Sequence, residues 1–64
     1  MKTTYDHDAN ALYVQFSSEA IERTEELRPG IILDFDKRGH IVGIEMLDAK
    51  KQLSEAALQS LAAA

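Results

Sequence analysis

Two strongly apolar runs, Ile31–Phe35 and Ile41–Leu47, stand either side of Asp36-Lys37-Arg38-Gly39. Asp at the first position and Gly at the fourth suit a type I turn, with Gly39 free to take positive φ and form a bulge. The stretch therefore reads as an antiparallel hairpin. Alternation along a strand puts Ile31, Leu33 and Phe35 on one face, and Ile32 with Asp34 on the other. On the return strand Val42, Ile44 and Met46 share a face, opposed by Ile41 and Leu47. A sheet with one solvated face has cleaner alternation than this. Part of the second face is therefore expected to be covered, by a C-terminal helix or by another subunit.

The rest of the chain supplies further strands and one helix. Leu12, Val14 and Phe16 alternate with Ala11, Tyr13 and Gln15, which predicts a strand with the first three inward. Thr3-Thr4-Tyr5 can pair with it, because Asp6-His7-Asp8-Ala9-Asn10 is rich in residues that bond back to their own backbone and turn the chain. Ile21–Leu27 is polar and acidic, which suits an edge strand; a short helix from Ser18 also fits. Ser54 is a good helix N-cap, and Glu55 places negative charge in the first turn. Leu53 and Leu58 can staple that helix end, and Leu58, Leu61 and Ala62 form an apolar stripe. A helix this short must dock on something.

Size sharpens the question of what covers the sheet. A chain of 64 residues is read as one domain over residues 1–64, with a sheet over about 2–48 and a helix over about 55–63. A domain this small buries only about 60% of its unfolded surface. With no cysteine there is no disulfide to help, so self-association is the expected source of extra stability. The net charge of −4 comes without any cluster of Lys and Arg, which argues against nucleic acid; an acidic surface suits solubility or a basic protein partner better. The first ten residues have no apolar segment of a signal peptide, and no apolar run is long enough to span a bilayer. The expected location is cytoplasmic, with no membrane partner.

One stretch imitates chemistry. In DFDKRGHIVGIE, residues 34–45, the spacing of Asp34, Asp36, Gly39, Ile41 and Glu45 matches an EF-hand calcium loop. The entering helix would have to run through Pro29-Gly30, and Arg38 stands where an oxygen ligand belongs. A hairpin with Asp34 and Glu45 pointing out of the pleat accounts for the same letters. Asp34, Asp36, Glu45 and His40 remain as the alternative, a metal- or small-ligand-binding set. His7 and His40 each sit in or beside a turn, without a recognisable ligand spacing. No serine stands in a nucleophile motif, and the three glycines form no phosphate loop. No cofactor is expected and the chain does not read as an enzyme. Tyr13 and Phe35 could stack bases, but no basic groove accompanies them.

The order of motifs has a parallel. YDHDANALYVQF followed by PGIILDFDKRGHIVGIEMLDAKKQLSEAAL resembles the small prokaryotic domain-of-unknown-function family 2283. The segment Val42–Ala49, with Met46 in a variable slot, is the specific part. Asn10 departs from a position where that family often has Asp. The resemblance implies an α+β fold and oligomerisation, and no established activity. Some relatives are thought to be encoded beside small toxins, so it also implies that an antitoxin-like role is conceivable.

The expectation is an α+β domain with a four- or five-stranded antiparallel β-meander and one short C-terminal α-helix. It is expected to act as a homo-oligomeric protein-interaction module. Tyr13, Ile32, Ile41, Leu58 and Leu61 are the candidate interface residues.

Overall fold

A computed structural model describes residues 1–63, and side chains as far as Leu61. Ala62, the third member of the apolar stripe, lies outside the described side chains. Five strands, β1 (Lys2–Asp6), β2 (Ala11–Gln15), β3 (Arg23–Arg28), β4 (Ile31–Phe35) and β5 (Ile41–Leu47), precede two helices, α1 (Ala49–Gln52) and α2 (Glu55–Ala63). All strand pairs are antiparallel, and the fold is α+β as expected.

The strand order is β1-β2-β5-β4-β3. The β1–β2 hairpin and the β3–β4–β5 meander each pair neighbours in sequence, and β2 then docks on β5. The turn at Asp36 forms as its residues dictate. Gly39 donates its N–H to the Asp36 carbonyl at 3.0 Å and takes φ +82°. The following irregularity makes Ile41 and Val42 together oppose Phe35, because Asp34 pairs with Gly43 and Phe35 with Ile41. This brings Ile41 to the face of Phe35 rather than to that of Leu47.

Three local expectations shift. The edge strand β3 is fully exposed, as its charges suggest, but starts at Arg23 and ends at Arg28. A polar edge carries no alternating apolar signal to mark its ends. Strand β2 stops at Gln15, and Phe16 is 48% exposed instead of inward. The single turn α1 precedes the expected helix. Helix α2 itself begins where Ser54 predicts, with the Ala57 N–H donating to Ser54 Oγ at 3.1 Å.

Cross-strand register defines the two faces. Tyr5, Leu12, Met46, Ile31, Val14, Ile44 and Leu33 share one, here the Leu12 face. Tyr13, Glu45, Ile32, Gly43 and Asp34 share the other, the Tyr13 face. Tertiary contact runs mainly between adjacent strands. Among the described residues, Leu12, Ile31, Val42 and Ala49 are the buried hydrophobics, and no large side chain is fully buried. No described helix is long and apolar enough to cross a membrane.

Candidate interaction site

One end of the sheet is closed by polar contacts. Asn10 ends the β1–β2 turn at φ +53°, a conformation Asn tolerates better than most residues. Its backbone carbonyl accepts the Ala49 N–H at 3.0 Å. Its side-chain oxygen accepts from the Tyr5 hydroxyl at 2.7 Å and the Lys50 N–H at 3.2 Å, and its amide donates to Asp48 at 3.1 Å. Asp48 is itself left-handed, at φ +56°, and turns the chain so that Ala49 becomes wholly buried. Gln52 completes this end. Its amide donates to the carbonyls of Leu47 and Gly30, at 2.7 and 3.2 Å.

The middle of the Tyr13 face holds a hydroxyl–carboxylate network. Asp34 is only 9% exposed and accepts from the Thr24 hydroxyl at 2.8 Å and the Tyr13 hydroxyl at 3.0 Å. It does not point freely outward, as the sequence reading expected, because Gly43 opposite it leaves room for Tyr13 to lean across. Burial, then the hydrogen bond and charge of Asp34, then the charge of Glu45 raise the Tyr13 phenol above its ordinary value.

The other end is open. Burial along the Leu12 face is uneven, and Val42, opposite Phe35 near the far end, is only 3% exposed. In the row Leu12–Met46–Ile31, Leu12 and Ile31 are buried; the row Val14–Ile44–Leu33 is half-buried. Beyond it, Phe16 donates its N–H to the Val42 carbonyl at 2.8 Å, and Ile41 is 47% exposed. Met1 lines a cleft with Phe16, and Ile21 precedes Glu22, whose N–H bonds the Phe35 carbonyl at 2.8 Å. Most of the exposed large hydrophobics therefore gather here. Phe35 itself is partly roofed by the Arg23 guanidinium, 4.2 Å from the ring centre. The Phe16 end was missed because β2 looks inward by alternation alone.

Beside this apolar end, an open cleft of about 530 Å³ separates Glu19 and Glu22 from Lys37, Arg38 and His40. Asp36 also lines it. Its Oδ1 accepts the N–H groups of Arg38 and His40, both at 2.9 Å. The His40 N–H first, offset by partial burial, and then the Arg38 N–H and the nearby positive charges leave its carboxyl below the usual range. A second cleft, about 310 Å³, lies where Leu58 and Leu61 of α2 approach Tyr5, His7 and Lys50.

The family model described as "Protein of unknown function (DUF2283)" matches residues 2–50. The chain belongs to this family. No curated protein and no solved structure matches. The matched span contains all five strands and the Asn10–Asp48–Ala49 contacts, and stops before α2. The family resemblance noted at Val42–Ala49 now has a physical content. Gly43 admits Tyr13, Asp48 makes the left-handed turn, and Ala49 is wholly buried.

The residues singled out from sequence fall on separate surfaces. Tyr13 and Ile32 flank Glu45 on the Tyr13 face, Ile41 is at the Phe16 end, and Leu58 and Leu61 are on α2 near β1. Asp34 and Glu45 both lie beside Tyr13 on the Tyr13 face, but Asp36 and His40 stay in the turn, so the four form no single group. Asp34 is committed to Tyr13 and Thr24, Asp36 to its own turn, and Glu45 lies between Tyr13 and Ile32. His40 approaches Asp36 alone, at 4.0 Å. No group of three or more potential ligands is clustered among the described residues.

Proposed function

We propose that this protein is a small interaction module that self-associates through the Leu12 face of its sheet. The supporting observation is the thinness of its own core: among the described residues no large side chain is fully buried. The chain exposes 4727 Å². A folded monomer of 7.1 kDa is expected to expose about 4,100 Å². That surplus leaves surface for a partner to cover. The face carrying Val14, Leu33, Ile44 and Met46 is the apolar surface available to supply it.

The role is binding rather than catalysis. The net charge of −4 suits a basic protein as a further partner, which is where an antitoxin-like role would enter. Size-exclusion chromatography with light scattering at micromolar concentration tests the self-association. A dimer or larger species is expected, and a stable monomer would refute the reading.

A further inference from the structure

The Phe16 end carries more than exposed hydrophobics. Glu19 and Glu22 line one side of its charged cleft, and Lys37 and Arg38 the other. The ion pairs among the described residues are Arg23–Glu25, His40–Asp36 and Lys51–Asp48. None of these four charges makes an ion pair among the described residues, although Asp36, on the side of Lys37 and Arg38, offsets part of the positive charge there. A surface with unmatched acid on one side and unmatched base on the other is complementary to itself when turned by a half rotation. A two-fold interface requires that property, because each patch must meet the same patch on the partner.

We infer that two copies of this chain meet at the Phe16 end about a two-fold axis. Phe16, Ile21 and Ile41 of each copy form the apolar centre, where each is now about half exposed. Lys37 and Arg38 of one copy face Glu19 and Glu22 of the other. The inference rests on the self-association proposed above and adds which end is used and what fixes the orientation. Apolar burial supplies the affinity, and the exposed charges set register and encounter rate. A basic third protein is a poor fit for this end, because Lys37 and Arg38 would oppose it.

Complementary charge reversal tests the arrangement. One variant carries Lys37→Glu and Arg38→Glu, and the other Glu19→Lys and Glu22→Lys. Circular dichroism checks that each is folded, and the four sites are exposed enough to accept the changes. Each variant alone should dissociate at concentrations where the wild type is dimeric, with a dissociation constant at least tenfold higher. An equimolar mixture should recover a mixed dimer, visible by native mass spectrometry. A wild-type dimer unaffected by either reversal, or variants that dissociate without recovering on mixing, would overturn this inference and leave self-association standing. A wild type that is itself monomeric would overturn both.

Discussion

The hydroxyl of Tyr13 lies over Gly43, in the space that a side chain at that position would occupy. The missing side chain on β5 is what allows a residue of β2 to reach Asp34 on β4. Three strands are thereby joined through one bond on the Tyr13 face. A Gly43→Ala methyl group would run into the Tyr13 ring and hydroxyl and force them off Asp34. The expected loss is about 1–3 kcal/mol of unfolding free energy. Urea denaturation measures it, and the loss should largely vanish in a Tyr13→Ala background, where the two sites no longer couple.

Asp34 can be examined through the phenol it holds. Because Tyr13 is raised above its ordinary value, the neutral phenol is the form favoured by folding. Its contribution is present below the unfolded value, about 10, and is lost as pH rises through the higher folded value. In a Tyr5→Phe background, phenolate absorbance should report Tyr13 alone. Its midpoint should move down in Asp34→Asn, which removes the charge. Asp34→Ala should also cost about 1–2 kcal/mol, because the part-buried Tyr13 hydroxyl loses its acceptor.

Asn10 should not tolerate its closest acidic analogue well. Its amide donates to Asp48, and a carboxylate cannot donate. Asn10→Asp would set two negative groups against each other at the closed end of the sheet. A loss of about 1 kcal/mol is expected near neutral pH. Asp48→Asn should restore most of it, since the second variant then supplies the donor. Thermal unfolding of the two single variants and the double variant distinguishes this from a purely conformational effect.

Acid should loosen the Asp36 turn. A carboxyl whose folded value is lowered stabilises the fold fully above its unfolded value, about 3.9, and stops doing so as pH falls through the lower folded value. The stability difference between the wild type and Asp36→Asn should therefore shrink between about pH 5 and about pH 2. Parallel urea titrations across that range provide the measurement. A difference that stays constant with pH would mean the Asp36 charge contributes nothing.

Local chemistry made much of the fold legible. Asp36 and Gly39 fix their hairpin through side-chain bonding and positive φ, and Ser54 starts α2, all within a few residues of sequence. The edge character of β3 follows from its charges, though its limits do not. What stayed hidden is tertiary. Nothing local says that β2 will pair with β5, that Tyr13 will find Asp34, or that Asn10 will hold Asp48 and Ala49. The exposure of Phe16 was equally illegible, since alternation predicts a face but not whether anything covers it. The calcium-like spacing at Asp34, Asp36 and Glu45 dissolved for the same reason: the pleat sets Asp34 and Glu45 beside Tyr13, while the turn holds Asp36 apart.

The strand order also has a consequence for assembly in time. β1–β2 and β3–β4–β5 can each form by pairing sequence neighbours, while the line where Val14 meets Ile44 must wait for a long loop to close. That line is the topological seam of the molecule. Opened within residues 18–21, the chain would keep every strand-to-strand pair and the backbone bonds of Ser17 and Glu22 to Val42 and Phe35, and lose the covalent tether across the seam.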